Sequence, residues 1–198
     1  MRIKIDHTVI EARRHISQQD LEQEFEIVQA AIKDPQKFQI LYDRYFASIF
    51  NYVYRRIDDE DITADLTSQT FLKALGNLKR YKFKGVPFSA WLYRIAANEV
   101  NRHYRQTNRK KIFSIDEQEF EHLIEQNVEE EGEVDVEEVL RGLQLLNAAD
   151  IEAVELRFFE RKSFAEMAFI LEITEASAKM RTYRAIDKLR NLLKRREG

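Results

Sequence analysis

Residues 38–53 read FQILYDRYFASIFNYV, and their apolar side chains recur at steps of three and four. That spacing places them on one face of an amphipathic helix. The stripe consists of Phe38, Leu41, Tyr42, Tyr45, Ile49, Tyr52 and Val53. Pro35 precedes it, at a place where the first turn of a helix tolerates proline. The segment is therefore predicted to be a core-forming helix.

The same helical period recurs on both sides of this segment. Three further stripes are Leu21, Phe25, Val28 and Ile32; Ile62, Leu66, Phe71, Leu72 and Leu75; and Phe88, Trp91, Leu92, Ile95 and Val100. The break Gly85-Val86-Pro87 separates the last two. Because Gly and Pro are scarce and no segment alternates like a strand, the sequence predicts an all-α fold.

The composition of the 198 residues excludes several classes of protein. There is no Cys, and hence no disulfide framework, thiolate metal site or Cys nucleophile. The longest apolar run, Met167–Leu171, is far shorter than the roughly 20 residues that a bilayer span needs. Residues 1–7 lack the apolar core of a secretory signal. We therefore expect a soluble cytoplasmic protein without membrane insertion.

The net charge of −3 conceals a strong segregation of charge along the chain. Residues 79–111 contain ten Lys or Arg and one acid, and residues 179–196 contain eight bases and one acid. Residues 112–138 contain twelve Asp or Glu and no Lys or Arg. Solvated helix faces carry such charge too, but separated basic blocks favour two nucleic-acid-facing modules joined by an acidic tether.

These patterns predict four segments and two small helical domains. Residues 1–19 form an N-terminal extension without an assigned role, and residues 20–111 form the first domain. Residues 112–138 form a flexible linker, because their run of glutamates is too acidic to pack alone. Residues 139–198 form the second domain.

The second domain has the pattern of a helix-turn-helix. Ser163 is placed as an N-cap with Glu166 as its capping-box partner, and the short helix that they start ends at Leu171. A turn at residues 172–174 follows, and the second helix opens at Thr174 or Glu175. Inward positions are predicted for Phe164, Ala168 and Leu171 in the first helix and for Ala178, Thr182, Ala185 and Leu189 in the second.

The outer face of the second helix carries side chains that reach base edges and phosphates in a major groove: Lys179, Met180, Tyr183 and Arg184. An ordinary helical hairpin with a basic surface is the alternative. The adjoining basic block favours duplex DNA binding.

Residues 81–105 interleave aromatic, amide and basic side chains. Rings stack on exposed base faces while Lys and Arg hold phosphates, so this surface suits unpaired bases. Its members are Tyr81, Lys82, Phe83, Lys84, Phe88, Trp91, Tyr93, Arg94, Asn98, Asn101, Arg102, Tyr104 and Arg105. Tyr81 and Phe83, beside the Gly-Pro loop, are the better contact candidates, Trp91 is assigned to the core, and Phe88 stays open.

Three motifs follow one another: ADLTSQTFLKAL at 64–75, FSAWLYRIAAN at 88–98 and the helix-turn-helix at 163–189. They resemble the polymerase-clamp-binding helix, sigma region two and sigma region four of the extracytoplasmic-function (ECF) group of the sigma-70 family of bacterial RNA polymerase sigma factors. The resemblance spans roughly residues 21–196. It implies a subunit that directs core polymerase to promoters and helps to open the minus-ten element.

The resemblance also implies residue roles. Polymerase binding, on or beneath the clamp-docking face, falls to Asp65, Leu66, Gln69, Phe71 and Leu72. Minus-ten binding, with a flipped base held by the loop 81–87, falls to Tyr81, Lys82, Phe83, Lys84, Asn98, Asn101, Arg102 and Arg105. Minus-thirty-five binding falls to Lys179, Met180, Tyr183 and Arg184. The implied partners are core RNA polymerase, promoter DNA as duplex and as melted non-template strand, and an anti-sigma factor, which the family often has.

Some positions depart from the family pattern. The clamp helix usually has a Gln-acid pair where Ser68 and Gln69 stand. The helix-turn-helix usually has Gly where Glu172 stands, and Glu tolerates positive φ poorly, so we expect a re-shaped turn. The inward Ala178 and Thr182 are smaller than usual, which we expect to tilt the recognition helix.

No catalytic residue, metal site or cofactor is predicted. The four His are scattered, and there is no Gly-rich phosphate loop or nucleophile elbow. The acids at residues 58–61 would suit a divalent cation, but favourable charge at a helix start explains them more simply.

Two alternatives to a sigma factor stay open from the residues alone. The first is a free-standing helix-turn-helix regulator with a dimerisation or ligand domain, and the more distant one is a helical nuclease that uses the acids at 58–61. Residues 64–98 discriminate a sigma factor from such a regulator, because a regulator has no need for an aromatic and basic patch beside a Gly-Pro loop.

Overall fold

The computed structural model describes residues 17–107, Ser114 and residues 136–194, with the backbone alone at 136–138 and 192–194. Every regular element in these ranges is helical, which confirms the predicted all-α class. The predicted extension as far as residue 16 and most of the predicted acidic linker lie outside the described residues.

The described residues form two compact units. One contains residues 17–107 and Ser114 together with Ala168–Ile173, and the other contains residues 136–167 and 174–194. The predicted domain limits at 20–111 and 139–198 stay predictions.

The first unit is built on the helices α1 (Gln18–Lys33), α2 (Phe38–Ile57), α3 (Glu60–Asn77) and α4 (Phe88–Thr107). Short 3-10 turns, Pro35–Lys37 and Leu78–Arg80, lead into α2 and out of α3. Helix α2 packs against α3 and α4, α3 packs against α4, and α1 packs against α2. The helices thus begin and end close to where the apolar stripes and the Gly-Pro break predict.

Side-chain caps define the ends of these helices. Ser17 and Asp20 form a capping box, in which the Asp20 N–H donates to Ser17 Oγ at 3.1 Å. Asp59 caps α3 by accepting from the Ile62 N–H at 3.0 Å, and Asp58 ends α2 in the left-handed conformation. Acids at residues 58–61 therefore act at a helix boundary, as the simpler interpretation predicts.

The predicted stripe of α2 lies at the centre of the first unit. Its members Leu41, Ile49, Tyr52 and Val53 are fully buried, whereas Tyr42 and Tyr45 are half-buried. The core is completed by buried residues of the other helices, among them Val28, Ala74, Leu78, Phe88, Leu92 and Ala96. Phe88, which the sequence leaves open, is a core residue.

The second unit begins with α5 (Val136–Gln144), three residues before the predicted Val139, and α6 (Ala148–Val154). A π-helical turn at Glu155–Phe159 extends α6. The helix-turn-helix consists of α7 (Phe164–Leu171), whose residues from Ala168 onward are grouped with the first unit, and the long α8 (Glu175–Lys194). The core of this unit comprises Val139, Leu143, Leu146, Val154, Phe158, Ala185, Ile186 and Leu189.

The helix-turn-helix has the predicted caps. The Ser163 N–H donates to Glu166 Oε2 at 2.8 Å and the Glu166 N–H donates to Ser163 Oγ at 3.2 Å, which completes the capping box. Thr174 caps α8 through the Ser177 N–H at 3.1 Å.

The predicted inward face of α7 is right only in part. Met167 and Ile170 are the buried residues, and Phe164 is half-buried and packs against the core of the second unit. Ala168 and Leu171 are only half-buried. The reason is that α7 is almost wholly apolar, so its spacing does not single out one face. In α8 the predicted inward set, Ala178, Thr182, Ala185 and Leu189, is buried.

Candidate nucleic-acid and protein interfaces

Tyr81 begins the loop that connects the second 3-10 turn to α4. Its ring centroid lies 5.3 Å from that of Phe88 and 5.1 Å from that of Trp91. The Tyr81 N–H donates to the Leu78 carbonyl at 3.0 Å, which fixes the start of the loop. Tyr81 and Trp91 are half-buried, so each ring has one side in the cluster and part of its surface open to solvent.

Phe83 is the exposed ring of this loop. It is 36% exposed, and its neighbours in sequence, Lys82 and Lys84, are exposed as well. Its ring centroid lies 5.3 Å from that of Phe25 on α1. An exposed ring flanked in sequence by two exposed lysines suits a base and its neighbouring phosphates.

Glu24 of α1 lies beneath the loop and is only 8% exposed. It accepts a hydrogen bond from the Phe88 N–H at 2.6 Å, and the Tyr45 hydroxyl of α2 donates to the same carboxylate. Glu24 is not among the residues predicted for this site. The signal for it is a charged residue at a position of the helical period that is otherwise apolar, since Leu21, Glu24 and Val28 share the buried face.

The surroundings of Glu24 shift the titration of two tyrosines. Burial, reinforced by the Glu24 charge, raises the pKa of Tyr81 to about 12. Burial and the Glu24 carboxylate also raise the pKa of Tyr45. Both hydroxyls therefore stay protonated at neutral pH, and the Tyr45 hydroxyl remains a donor to Glu24.

Helix α4 carries the other predicted minus-ten residues on one face. Asn98 and Arg105 are exposed, and Asn101 and Arg102 are half-buried between them. Steps of three, four and seven residues along a helix place these side chains in a row, which begins in the turns that follow the loop.

Two of the rings predicted for this surface, those of Tyr93 and Tyr104, belong to the core instead. Tyr93 is buried and its ring packs edge-on against Tyr52, with centroids 5.1 Å apart. Tyr104 is buried, and its hydroxyl donates to the Arg56 carbonyl. The prediction fails because an aromatic ring serves a core and a base-stacking surface equally well.

The predicted polymerase face lies on α3, and the structure separates its residues into two layers. Leu66 and Phe71 are buried and support the helix from beneath. Asp65 is exposed, Gln69 is half-buried, and Leu72 is 67% exposed. Gln69 donates to the Asp65 carboxylate at 2.6 Å, so the amide and the acid act as one polar group.

Three of the four residues predicted for the outer face of α8 are exposed. Lys179 and Arg184 are exposed, Met180 is 59% exposed, and Tyr183 is half-buried. Tyr183 packs on the core of the second unit, with Lys179 Nζ 5.8 Å from its ring centroid. The face thus offers two cations and an exposed thioether above a fixed ring.

The turn before α8 accommodates Glu172 with a φ of 56° rather than avoiding the left-handed region. A glycine would adopt this conformation without strain, whereas a side chain does so at a cost. The buried Thr182 hydroxyl of α8 donates to the Ala178 carbonyl at 3.0 Å, so this polar group is satisfied within the helix.

Comparisons with known proteins agree with this geometry. Residues 41–110 match the family model for sigma-70 region 2. Over 188 residues the chain is 33% identical to the ECF RNA polymerase sigma factor BldN of Streptomyces coelicolor. The aligned region covers 91% of this chain and 70% of BldN. The chain belongs to the ECF group of RNA polymerase sigma factors. As a sigma factor it directs core polymerase to promoters, and this membership displaces the free-standing regulator.

Two solved structures are similar to this sigma factor in fold. CnrH, solved with the cytosolic domain of CnrY, has a TM-score of 0.62 at 22% identity and covers 86% of this chain and 97% of its own. The sigma factor RpoE of Bartonella quintana, solved with the anti-sigma factor NepR, has a TM-score of 0.60 at 21% identity. It covers 80% of this chain and 98% of its own chain.

The region 2 match of this sigma factor covers α3, α4 and the loop between them, whereas Glu24 and Phe25 precede it. Within the part of the chain that the structure describes, no cluster of His, Asp or Glu side chains is placed to hold a metal ion. No described helix is long and apolar enough to cross a membrane.

Proposed function

We propose that this sigma factor divides promoter recognition between two surfaces and binds polymerase through a third. The loop 81–87 and the adjoining face of α4 bind the melted non-template strand of the minus-ten element. The outer face of α8 binds the minus-thirty-five element as duplex. The exposed layer of α3 docks on the clamp of core RNA polymerase. The exposed Phe83 between two lysines is the observation that carries this proposal.

The minus-ten surface is suited to a base that has left its stack. Stacking on a ring contributes about 1 to 3 kcal/mol per base, which offsets the few kcal/mol that extrusion costs. Phe83 supplies an exposed ring, and the half-buried Tyr81 and Trp91 present ring surface nearby. Lys82 and Lys84 supply charge for the phosphates on either side.

The minus-thirty-five surface is suited to intact duplex. A helix in the major groove reads base edges through side chains that project from one face. On α8 these are Lys179, Met180 and Arg184, while the half-buried Tyr183 supports them from below.

The polymerase surface combines apolar area with a polar group. The large apolar side chain of Leu72 on α3 is exposed, and so is that of Leu75, about one turn further along the helix. Exposed apolar residues next to a polar pair are typical of a protein-binding surface. Asp65 and Gln69 provide that pair.

In this proposal the sigma factor catalyses no reaction itself and acts in the cytoplasm. Binding free energy opens the strands, and polymerase supplies the chemistry of RNA synthesis. The partners are core RNA polymerase, promoter DNA and an anti-sigma factor, the class of partner with which RpoE was solved.

The proposal is tested by reconstituting the full chain with core polymerase on a template pool randomised across both promoter elements. We expect stable association and enrichment of templates with two defined elements. Phe83→Ala should weaken binding of a single strand from the enriched minus-ten element by about tenfold, the equivalent of about 1.4 kcal/mol. The control Lys37→Ala, at an exposed residue outside the loop, should leave the affinity for the single strand unchanged. Failure to associate with polymerase, or an unenriched pool, would refute the proposal.

A further inference from the structure

Helix α1 contributes a buried carboxylate, that of Glu24, to the floor of the base-binding loop. Glu24 is 8% exposed, and both of its contacts reach other helices. Oε2 accepts from the Phe88 N–H at 2.6 Å, and the Tyr45 hydroxyl of α2 donates to the carboxylate. One side chain therefore joins α1, α2 and α4.

The contact with Phe88 lies at the start of a helix. Phe88 is the first residue of α4, and the first N–H groups of a helix have no partner within it. A carboxylate at this end satisfies such a donor and also favours the positive end of the helix dipole. Glu24 therefore acts as an N-terminal cap supplied by a residue 64 positions away in sequence.

Phe88 in turn fixes the aromatic cluster of the loop. Its ring centroid lies 5.3 Å from that of Tyr81, 5.4 Å from that of Trp91 and 6.5 Å from that of Tyr45. Tyr81 starts the loop and Phe88 follows its end, so an anchored Phe88 holds the two ends together. Phe25, the neighbour of Glu24, supports the middle of the loop through Phe83.

A charged residue at this buried position carries a desolvation cost that an apolar residue would not have. A buried carboxylate loses its hydration and is tolerated only when hydrogen bonds replace it. Val28 and Ala31 fill the same buried face of α1 without that cost. What a carboxylate adds is two directional hydrogen bonds that fix the loop relative to α1 and α2.

We propose that Glu24 is a positioning residue for minus-ten recognition: by capping α4 and accepting from Tyr45, it holds the loop 81–87 in the conformation that receives an unpaired base. A loop that is already ordered loses less conformational freedom when it binds, so its affinity for single-stranded DNA is higher. The inference rests on the proposed function, and it adds a residue outside the matched region 2.

The test compares four variants of the full chain in complex with core polymerase: Glu24→Ala, Glu24→Gln, Tyr45→Phe and the control Glu26→Ala. Glu26 is the same residue type on the same helix, but it is exposed. Three affinities are measured for each variant: for core polymerase, for minus-thirty-five duplex and for a fluorescent single strand of the enriched minus-ten element. Thermal unfolding followed by circular dichroism verifies that each variant is folded.

We expect Glu24→Ala to weaken single-strand binding by about tenfold, while the other two affinities stay within about twofold. Glu24→Gln should restore most of the loss, because its amide accepts from the Phe88 N–H and donates to the Tyr45 oxygen. Tyr45→Phe should cause a smaller loss of about threefold, since one of the two hydrogen bonds remains. Glu26→Ala should resemble the wild type.

Three outcomes would overturn the proposal: single-strand affinity that Glu24→Ala leaves unchanged, an equal loss in all three affinities, or no recovery with Glu24→Gln. If Glu24→Ala does not fold, Tyr45→Phe and Glu24→Gln decide in its place. Phe83→Ala distinguishes a failure of the positioning role of Glu24 from a failure of the proposed function. If it weakens single-strand binding while the Glu24 and Tyr45 variants do not, the proposed function stands and the positioning role fails. If the wild type itself does not bind the single strand, the proposed function fails.

Discussion

Arg102 of α4 donates a hydrogen bond to the side-chain oxygen of Gln69 on α3 at 2.7 Å. The same guanidinium pairs with Glu99, and Glu99 also pairs with Lys73 of α3. The proposed polymerase face and the proposed minus-ten face therefore share one polar network, with Glu99 at its centre. Glu99 is buried, whereas both cations are more than a third exposed.

Removal of Glu99 should destabilise the first unit. Breaking a buried ion pair costs about 3 to 5 kcal/mol, but solvent screens the two exposed cations here, so we expect Glu99→Ala to lower the free energy of unfolding by about 1 to 2 kcal/mol. Urea unfolding measures this change, and the exposed Glu26→Ala is the control. If Glu99→Ala and Arg102→Ala have strictly additive effects in a double-mutant cycle, the network carries no coupling.

Leu72 should matter for polymerase and hardly at all for the fold. Because the Leu72 side chain is 67% exposed, its truncation removes little buried apolar area. Leu72→Ala should therefore change the free energy of unfolding by less than about 0.5 kcal/mol. At a docking surface, the loss of this apolar contact should weaken binding to core polymerase by about tenfold, or about 1.4 kcal/mol. Surface-immobilised polymerase measures the affinity. Leu145→Ala, at a 63% exposed leucine of the second unit, should leave it unchanged. An unaltered affinity for Leu72→Ala would place the polymerase interface elsewhere.

Glu172 should be replaceable with a gain in stability. At a φ of 56° a residue with a Cβ is strained, whereas Gly is not, so Glu172→Gly should raise the free energy of unfolding by about 0.5 to 1 kcal/mol. Ala176→Gly in the first turns of α8 is the matched control. Inside the helix, the greater backbone freedom of Gly should lower the free energy of unfolding by up to about 1 kcal/mol. A loss of stability with Glu172→Gly would show that the side chain itself holds the turn.

The sequence is sufficient to predict that the first unit is helical and that Gly85-Val86-Pro87 breaks it. It does not give the buried face of α3, because Leu72 and Leu75 of the predicted stripe are exposed while Thr63, Thr67 and Thr70 are buried. On α8 the inward set is buried as predicted, but Tyr183 of the predicted outer face packs on the core. The prediction also fails at Tyr93 and Tyr104, since a ring next to basic residues fits a core as well as a base-binding surface.

Glu24 shows a different limit of sequence reasoning. Its two partners, Tyr45 and the N–H of Phe88, lie 21 and 64 residues away, and no local period encodes a contact at that separation. A charged residue on an apolar stripe is a signal that something must satisfy it, but only the packing of α1 on α2 and α4 identifies the donors.

The stability of the first unit should fall at high pH because of Tyr81. Below about pH 10 its hydroxyl is protonated in both states. Between about pH 10 and 12 the unfolded chain releases this proton first, since the folded pKa is raised to about 12, and stability is lost as pH rises through that window. Urea midpoints at pH 9 to 12 should fall more steeply for the wild type than for Tyr81→Phe. Tyr54→Phe, at an exposed ring, should follow the wild type. Parallel curves for wild type and Tyr81→Phe would contradict the assignment.

Arg184 should set both the affinity and the salt dependence of duplex binding. It is exposed on α8 beside Met180, and the loss of an arginine contact to a base or phosphate costs about 1 to 3 kcal/mol. We expect Arg184→Ala to weaken binding of the minus-thirty-five duplex by about tenfold or more and to leave the affinity for core polymerase unchanged. Fluorescence anisotropy between about 50 and 200 mM salt distinguishes the two kinds of contact. A phosphate contact lowers the slope of log K against log salt by about 1, whereas a base contact lowers affinity without that change. Lys37→Ala removes the same charge outside both proposed DNA surfaces and should alter neither quantity. If Arg184→Ala behaves like Lys37→Ala, the outer face of α8 does not contact the duplex.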